Sequence, residues 1–452
     1  MIAAAIAASM PLHSVGHQSA SAAETLPNIL IIVTDDQRAT PLGPYMPQTH
    51  RWLGRQGTRF TNAFTAVPNC CPARASLFTG QYAHNHGVLN NSQGYLLPHD
   101  ETIQYRLKQA GYRTALFGKY LNGWHINWAP PYFDSFSFFH GGYHDTEWNI
   151  DGTVRSLTRH STSVIQDHAT RFISDVESAD EDPWFLYLAP YSPHSPYVVQ
   201  GEYWWRPIPS WNGNPAVFED DLSDKPPLVR DRKRFTYEQG RYVQGRQARM
   251  LLAVDDFVAH IRDVLEATRE LRDTLVIFTS DNGMMWGEHG LGSPTFGKRF
   301  PYTESTKVPL YVRWRGHLNE GAIHQGMVSN VDIAPTIMDA IGLTHDPDLP
   351  MDGRSLLRPI DDREILIEYF RDARFGSEVP PWASLRSLDA QYVEYFEDDL
   401  ATVSFREFYD LLNDPWQLSN LLSDGNLFND SVADDHVERL TDARGCHGSD
   451  CP

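Results

Sequence analysis

The sequence predicts an α/β protein in which helices flank a large, mixed, mostly parallel sheet, followed by a smaller C-terminal α+β subdomain. Short apolar runs rich in β-forming residues recur along the chain, with helical or irregular segments between them, which is typical of α/β layering. The pattern changes after about residue 360, where residues 365–369 and 392–396 resemble strands and residues 408–415 end in a turn signal. We therefore predict a main domain over residues 26–355 and a C-terminal subdomain and tail over residues 356–452.

Length, charge and hydropathy exclude several classes of protein. The chain has 452 residues, enough for about three domains of ~150 residues or for one large domain with an appendage. Its 38 lysines and arginines against 58 aspartates and glutamates give a formal net charge of −20, which repels polyanions and excludes general nucleic-acid binding as a first hypothesis. No stretch approaches the ~18 to 20 apolar residues of a membrane-spanning helix, and the mean hydropathy is −0.43. A soluble globular protein is expected.

The two ends of the chain favour export. Residues 1–12 form an Ala-rich apolar run, and residues 19–23 contain an Ala-x-Ala cleavage site of the secretory type. The run contains no Lys or Arg, so residues 1–25 are either a signal segment that lacks its basic start or a disordered leader. At the other end, Cys446 and Cys451 could close a small disulfide loop, which would indicate an oxidising compartment. We therefore predict a secreted or extracytoplasmic protein.

One long helix and two long loops are predicted within the main domain. Apolar residues repeat at helical spacing over residues 250–271, which predicts an amphipathic helix with Asp255 and Asp256 on its polar face. Residues 123–150 and 196–235 are rich in Pro, Trp and Tyr and lack a clear period. They are expected to be surface excursions, the usual place for substrate-specificity loops.

Polar side chains follow four of the strand-like runs. In open, mostly parallel sheets, ligands bind outside the carboxyl ends of the strands, so these side chains are expected to converge on one edge of the sheet. The runs and the groups that follow them are residues 29–33 with Asp35 and Asp36, residues 114–117 with Lys119, residues 184–188 with His194, and residues 274–279 with Asp281 and Asn282.

The carboxylates and the amide among these groups predict a site for a hard cation. Asp35, Asp36, Asp281 and Asn282 supply only oxygen ligands, which suit Ca²⁺ or Mg²⁺ rather than zinc. Each pair taken alone is also compatible with an ordinary structural role, a helix cap for the first and an Asx turn for the second. Their shared position at strand ends, together with Cys70, is what favours a site.

Cys70 is predicted to lie at a helix N-terminus. Pro72 suits the first turn of a helix, and the free N–H groups and dipole at such a terminus favour anionic groups. The two adjacent cysteines could instead be small buried apolar residues. They could also bind zinc with His84 and His86, although a second ligand pair at the usual spacing is missing.

The segment Cys70–Cys71–Pro72–Ala73–Arg74, followed by Thr79–Gly80, resembles the signature of the type I sulfatases in the alkaline phosphatase superfamily. The resemblance extends over about residues 26–345, and residues 360–425 are similar to the family's C-terminal subdomain. It implies that a formylglycine-generating enzyme converts Cys70 to Cα-formylglycine, whose aldehyde hydrate is the nucleophile. Ala73 departs from the family pattern, since serine is common at that position.

The resemblance also implies roles for the strand-end groups. One divalent cation, usually Ca²⁺ with Mg²⁺ as the alternative, would be held together with the group at position 70. A sulfate ester carries negative charge that cationic donors must neutralise while its S–O bond breaks. The implied metal ligands are Asp35, Asp36, Cys70, Asp281 and Asn282, the implied sulfate-binding residues are Lys119, His194 and Lys298, and Arg74 is expected to orient the hydrate and its neighbouring carboxylates.

Three further motifs indicate which sulfatases the chain resembles most, and one position departs from the arylsulfatase pattern. Residues 82–86, 117–122 and 193–196 are most similar to the N-acetylglucosamine-6-sulfatases and the extracellular 6-O-endosulfatases. Arylsulfatases, however, place a histidine two residues after the lysine, where this chain has Leu121. Asn122 or His289 is a candidate for the role of that histidine, and a hydrogen-bonded loop histidine is the alternative for His289.

We therefore predict a sulfatase that hydrolyses a small sulfated sugar such as N-acetylglucosamine-6-sulfate, with aryl sulfates as poorer substrates. The net charge of −20 and the lack of a long basic run favour action at chain ends over action within a sulfated polymer. The alternatives are an arylsulfatase or a phosphonate or phosphate ester hydrolase of the same superfamily. A non-catalytic carbohydrate-binding protein is disfavoured because every implied catalytic position is occupied.

Overall fold

The computed structural model describes residues 26–179, 182–292, 296–343, 350–360, 362–426, 428 and 430–452, and the predicted leader at residues 1–25 lies outside them. The strands are β1 (Asn28–Thr34), β2 (Thr58–Phe64), β3 (Arg113–Lys119), β4 (Ser135–Phe139), β5 (Thr146–Ile150), β6 (Thr153–Leu157), β7 (Trp184–Ala189), β8 (Thr274–Ser280), β9 (Leu310–Arg313), β10 (Ile323–Ser329), β11 (Ile365–Tyr369), β12 (Trp382–Arg386), β13 (Ala390–Phe396) and β14 (Val403–Asp410).

Helices of very different lengths connect and cover these strands. The longer ones are Cys70–Thr79, Ile103–Gln109, Ser161–Ala179, Tyr237–Thr268, Ile333–Ala340 and Asp434–Ala443. Short helical turns lie at Leu42–Tyr45, Pro47–Thr49, His50–Gly54, Ala83–His86, Gly94–Leu96, His99–Glu101, Gly201–Tyr203, Pro215–Val217, Pro227–Arg230, Glu288–Gly290, Thr303–Thr306, Asn330–Asp332, Ala373–Phe375, Asp430–Ala433 and Gly448–Asp450. Within the described ranges, no helix is both long enough and apolar enough to cross a bilayer.

The first ten strands form one sheet in the order β10-β2-β9-β8-β1-β7-β3-β4-β5-β6. The central strands β8, β1, β7, β3 and β4 are parallel neighbours. Antiparallel pairs flank them, through β9 on one side and through β5 and β6 on the other. The predicted α/β class with a mixed, mostly parallel sheet is confirmed.

The central strands β1, β7 and β8 are buried on both faces because they alternate apolar residues between two layers of helices. In β1, Ile29, Ile31 and Val33 belong to one core cluster, which includes residues of the helices Cys70–Thr79 and Ile333–Ala340. Leu30 and Ile32 belong to the opposite cluster, with residues of the helices Ser161–Ala179 and Tyr237–Thr268. A strand buried on both faces reads as a continuous apolar run, which is the pattern that marked β1 in the sequence.

The long helix differs from its prediction in its start and in one acidic residue. It begins at Tyr237, because Thr236 and Gln239 form a capping box there. Asp256 is exposed as expected, but the expectation for Asp255 was wrong. Asp255 is buried and accepts hydrogen bonds from the backbone N–H groups of Gln48 (3.0 Å) and Thr49 (2.7 Å), which helical spacing on its own element does not reveal.

The C-terminal residues form the predicted smaller α+β arrangement. Strands β11 to β14 make a four-stranded antiparallel sheet, and the helix Asp434–Ala443 packs against it. Cys446 and Cys451 are bonded, which resolves the alternative that the sequence left open. The boundary at residues 355 and 356 remains a prediction.

Gly240 allows the long helix to approach the loop after β8. A Cβ atom at Gly240 would lie 1.6 Å from the backbone oxygen of Trp286, whereas a Cβ at Gly245 would meet nothing closer than 3.5 Å. We expect Gly240→Ala to lower the free energy of unfolding by about 1–3 kcal/mol through overpacking. Gly245→Ala should raise it by about 0.5–1 kcal/mol, because alanine is the better helix former. Denaturant unfolding of both variants provides the check, and equal effects would contradict the packing argument.

Candidate active site

The carboxyl ends of four neighbouring parallel strands carry the predicted polar groups. Asp35 and Asp36 follow β1, Lys119 ends β3, and Asp281 follows β8. His194 lies in the segment after β7. Because β8, β1, β7 and β3 are adjacent, the structure brings these side chains to one edge of the sheet, as the strand-end argument predicts.

Cys70 reaches the same edge from a different direction. It is the first residue of the buried helix Cys70–Thr79, and Asn69 before it is extended. The Cys70 Sγ atom lies 2.9 Å from the Nζ atom of Lys298 and 3.5 Å from Oδ1 of Asp35. The side chain at position 70 is therefore presented to a cation and a carboxylate at a helix N-terminus.

Arg74 holds the carboxylates of this cluster together. Its Nε and Nη2 atoms donate to Oδ2 of Asp281 at 3.0 and 2.8 Å, and Nη1 donates to the backbone oxygen of Lys119 at 2.9 Å. Nη2 also lies 3.5 Å from Oδ2 of Asp35. The guanidinium is fully buried, so these contacts supply the partners that a charge removed from water requires.

Two lysines and a histidine complete the cluster. Lys119 Nζ lies 2.5 Å from Oδ2 of Asp35, and Lys298 Nζ lies 2.6 Å from Oδ1 of Asp36. His194 Nε2 lies 3.5 Å from Oδ2 of Asp36. All of the predicted site residues are thus brought together. Three buried carboxylates, Asp35, Asp36 and Asp281, face three buried cations, Arg74, Lys119 and Lys298.

Lys298 does not lie at a strand end, and the C-terminal sheet positions its segment. The Trp382 indole N–H donates to the backbone oxygen of Arg299 at 2.8 Å, and Gln391 Nε2 donates to that of Pro301 at 2.9 Å. The Tyr302 hydroxyl donates to Glu407 at 2.9 Å. Residues of β12, β13 and β14 therefore fix the chain that carries Lys298.

Burial and neighbouring charges oppose each other in setting the pKa values of the carboxyls. Burial raises the pKa of Asp35, but Lys119, His194 and Arg74 outweigh it, and the net pKa is lowered. Burial likewise raises the pKa of Asp36, and Lys298 and His194 bring it below its usual value. Both carboxyls are therefore ionised at neutral pH, as cation ligands must be.

The thiol and the imidazole respond mainly to burial. Burial raises the pKa of Cys70 to about 12, although Lys119 and Lys298 act in the opposite direction. Burial also lowers the pKa of His194, against the opposing effect of Asp36 and Asp35. As a thiol, Cys70 would be protonated at neutral pH and a weak nucleophile.

The donor set fits a hard divalent cation. Oδ2 of Asp36 and Oδ1 of Asn282 are buried acceptors without a hydrogen-bond partner among the described residues. The carboxylates of Asp35 and Asp36 lie within 4.8 Å of each other and of the Cys70 sulfur and a His194 ring nitrogen. Asp281 is not part of this group, and both of its carboxylate oxygens accept hydrogen bonds, from the backbone N–H of Asp36 and from Arg74. Carboxylate and amide oxygens without donors are what a Ca²⁺ or Mg²⁺ ion satisfies. The amide of Asn282 is oriented by its donation to Oδ1 of Asp36 at 2.7 Å.

The histidines proposed for other roles have other partners. His84 hydrogen-bonds to Glu368 at 3.1 Å, and His86 bonds to Ser76 at 3.0 Å, so the contacts of these two imidazoles do not favour the zinc alternative. His289 Nδ1 lies 2.6 Å from Oε2 of Glu219. Its ring packs on Tyr302, at a centroid distance of 4.1 Å. These contacts favour the hydrogen-bonded loop histidine over a replacement for the missing histidine.

Sequence reasoning missed two polar side chains that brace the cluster. The Tyr187 hydroxyl accepts a hydrogen bond from Arg74 at 3.3 Å, and Gln247 donates to the backbone oxygen of Asp36 at 3.3 Å. Gln247 lies before residue 250, where the predicted helix starts, so the helical pattern gave no reason to single it out. Its polar contact became visible only because the helix extends back to Tyr237.

The protein is of the α/β class, with a mixed, mostly parallel sheet and a buried cluster at its carboxyl edge in which Cys70, at a helix N-terminus, faces carboxylates and cations. The chain belongs to the Sulfatase family, whose family model matches residues 27–343. A second family model, N-sulphoglucosamine sulphohydrolase, C-terminal, matches residues 287–444. The predicted type I sulfatase membership is confirmed, and proteins of this family generally use formylglycine and a divalent cation.

Individual relatives agree with the family assignment. The extracellular sulfatase SULF-1 homolog of Drosophila melanogaster is 32% identical over 366 residues, which cover 75% of this chain but only 32% of that protein. The N-acetylglucosamine-6-sulfatase of Homo sapiens is 27% identical over 459 residues, which cover 87% of this chain and 81% of that protein.

A solved structure shows the same fold. BT4656 in complex with its substrate D-glucosamine-2-N,6-O-disulfate has a TM-score of 0.78 and 23% identity, and the similarity covers 93% of this chain and 98% of that chain. At this identity, the similarity shows the fold.

The cation site generates a prediction about metal binding. Asp281→Asn keeps the shape of the side chain but removes a negative charge, so it should weaken Ca²⁺ binding at least about 10-fold, measured by isothermal titration calorimetry. Asp255→Asn controls for the loss of a buried carboxylate, since Asp255 bonds to the backbone of Gln48 and Thr49. Asp281 also pairs with Arg74 at 2.8 Å, so the folded fraction of both variants is measured before the Ca²⁺ titration. Equal Ca²⁺ affinity in the wild type and Asp281→Asn would contradict the assigned site.

Proposed function

We propose that the chain is a sulfuric ester hydrolase that removes sulfate from a small sulfated sugar such as N-acetylglucosamine-6-sulfate. The contact of Cys70 with Lys298 (2.9 Å) and Asp35 (3.5 Å) supports the proposal best. Cys70, the first cysteine of the sulfatase signature, is the first residue of a buried helix and lies beside buried carboxylates and cations, which supports this role. Residues 26–355 would form the catalytic domain and residues 356–452 the subdomain that positions Lys298.

Cys70 would act only after conversion by a formylglycine-generating enzyme. Burial raises the pKa of its thiol to about 12, so the unmodified side chain offers little thiolate. The aldehyde hydrate supplies one hydroxyl that attacks sulfur and a second hydroxyl whose proton loss lets sulfate depart and restores the aldehyde. Arg74 keeps Asp281 and Asp35 in place beside this group through contacts of 2.8 and 3.5 Å.

Asp35, Asp36, Asp281 and Asn282 would hold one divalent cation, for which we propose Ca²⁺. When bound, the cation would lower the pKa of the attacking hydroxyl and offset the negative charge of the ester. Oδ2 of Asp36 and Oδ1 of Asn282, which are buried and have no hydrogen-bond donor among the described residues, support this assignment.

Lys119, His194 and Lys298 would bind the sulfate group and handle the proton. Their nitrogen atoms lie within 3.5 Å of the carboxylates of Asp35 or Asp36, on the side where Cys70 is presented. Their donors would neutralise the ester oxygens as charge develops in the transition state. Cleavage of the S–O bond leaves an alkoxide on the sugar, and His194 or Lys298 would give it a proton.

A small sulfated sugar is the substrate that the surface and the relatives support. The net charge of −20 disfavours gripping a sulfated polymer. Three tryptophans of the predicted specificity loops are exposed, Trp128 at 50%, Trp204 at 38% and Trp205 at 86%. The Arg246 guanidinium lies over the Trp204 ring, so we propose Trp128 or Trp205 to stack on a sugar ring. Trp124 is buried and belongs to the core. One relative is named an N-acetylglucosamine-6-sulfatase.

We also propose that the protein is secreted. A relative is named an extracellular sulfatase, and the disulfide between Cys446 and Cys451 suits an oxidising compartment.

The nucleophile is tested by comparing the two adjacent cysteines. Cys70→Ala should reduce turnover at least about 10³-fold, because it removes the nucleophile. Cys71→Ser should keep much of the activity, since the hydrogen bond of the Cys71 thiol goes to the backbone oxygen of Asn122, at 3.2 Å, which a serine hydroxyl can also reach. Peptide mass spectrometry of the active wild type should find formylglycine at position 70. An intact thiol at position 70 in active enzyme would refute the proposal.

The substrate class is tested by rates on four substrates. We expect kcat/KM to be highest for N-acetylglucosamine-6-sulfate, lower for an aryl sulfate and a phosphonate monoester, and low for internal sulfates of a heparan oligosaccharide. The physical reason is the net charge of −20, which repels a long polyanion. Faster cleavage of internal sulfates, with rates that fall as salt rises, would show that the charge argument is wrong. Preference for the phosphonate would favour the alternative hydrolase.

A further inference from the structure

Two of the loops that carry site residues need support from elsewhere. Asp36 lies in the left-handed region with φ of 61°, a conformation that is uncommon for residues other than glycine. His194 follows β7 in a segment without regular structure. Such backbone persists only where the surrounding structure holds it, and its strain is of the order of 1–3 kcal/mol.

Gln247 connects these two loops. Its Nε2 atom donates to the backbone oxygen of Asp36 at 3.3 Å and to that of Pro193 at 3.2 Å. Pro193 directly precedes His194, and Gln247 is only 1% exposed. The side-chain amide of Gln247, on the long helix, is therefore hydrogen-bonded both to the backbone of Asp36 and to the residue before His194.

Trp286 fixes the orientation of that amide. Its indole N–H donates to Oε1 of Gln247 at 2.6 Å, which leaves both Nε2 hydrogens for the two loops. The face of the indole is covered by the Arg38 guanidinium, 4.2 Å from the ring centroid.

The Arg38–Glu288 salt bridge connects Trp286 to the loop of Asp36. The backbone N–H of Trp286 donates to Glu288 at 2.6 Å, and Glu288 pairs with Arg38 at 2.9 Å. Arg38 lies two residues after Asp36, so the contacts of Gln247 and Trp286 return to the same loop.

From this closed set of contacts we propose that Gln247 is a positioning residue that sets the Asp36 ligand and the His194 segment at the separation that the cation and sulfate site requires. This inference rests on the proposed function for its purpose. Partners that orient metal ligands typically change metal affinity or activity by about 10- to 100-fold when they are removed.

Gln244 provides a matched control on the same helix. It is also buried, at 2% exposure, and its Nε2 donates to the Tyr45 hydroxyl and to the backbone oxygen of Pro209, both at 3.2 Å. Gln247→Met and Gln244→Met therefore each remove two buried donations of similar geometry, but only the first touches the loops of the site. Gln247→Met also removes the acceptor of the Trp286 N–H, so it should lose more thermal stability than Gln244→Met, and the comparison therefore rests on Ca²⁺ affinity and local exchange.

The first measurement is Ca²⁺ affinity by isothermal titration calorimetry, in protein that is not required to turn over. We expect Gln247→Met to weaken Ca²⁺ binding by about 10- to 100-fold and Gln244→Met to leave it within about 2-fold of wild type. Trp286→Phe, which removes the orienting N–H together with part of the ring that Arg38 covers, should weaken binding by a smaller factor and serves if Gln247→Met fails to fold. Unchanged affinity in both Gln247→Met and Trp286→Phe, or equal loss in the Gln244 control, would overturn the inference.

The second measurement separates this inference from the proposed function. Hydrogen exchange followed by mass spectrometry, on protein in excess chelator, should show faster exchange in peptides that span residues 35–38 and 193–196 for Gln247→Met and not for Gln244→Met. That result supports the positioning role even if the wild type cleaves no sulfate ester. Unchanged exchange in both peptides would overturn the role, whatever the substrate tests show.

Discussion

The buried pairing of Arg74 with Asp281 is the interaction on which the site depends. Both side chains are removed from water, so each charge needs its partner, and the same guanidinium also reaches Asp35 and the backbone oxygen of Lys119. One arginine thereby links the ends of β8, β1 and β3. Lys119 and Lys298 pair with the remaining carboxylates, Asp35 and Asp36, so the three buried carboxylates and the three buried cations balance one another.

The sheet order explains how so many charged groups can meet in a buried place. Strands β8, β1, β7 and β3 are parallel neighbours with apolar residues on both faces, so their polar groups are confined to the residues at and beyond their carboxyl ends. The helix Cys70–Thr79 directs its N-terminus to the same edge. The C-terminal sheet adds Lys298 by holding the backbone at Arg299 and Pro301. The Lys298 ammonium beside Cys70 is therefore held in place by the C-terminal sheet. This support links the smaller subdomain to the cluster at the edge of the large sheet.

Side chains outside the Cys70 cluster also make specific contacts with the loop of Asp36. Gln247, Trp286, Glu288 and Arg38 form a closed set of hydrogen bonds, an ion pair and a ring contact around the loop of Asp36. Such a network restricts the left-handed residue at Asp36 to one arrangement, and preorganised groups of this kind avoid the cost of reorganisation during the reaction. Gly240 allows the long helix to lie close enough for these contacts, since a larger residue there would separate the helix from Trp286.

The sequence by itself determined the α/β class, the strand ends that carry the polar groups and the signature at Cys70, because apolar runs and short motifs are local patterns. Only the tertiary structure decided that β8, β1, β7 and β3 are neighbours, that the C-terminal sheet holds the Lys298 segment, and that Asp255 is buried against Thr49. It also decided that Gln247 contacts the loop of Asp36. These features join residues that lie far apart in the chain. Their partners are selected by packing and charge pairing after the elements have formed. No local period or propensity in the sequence therefore predicts them.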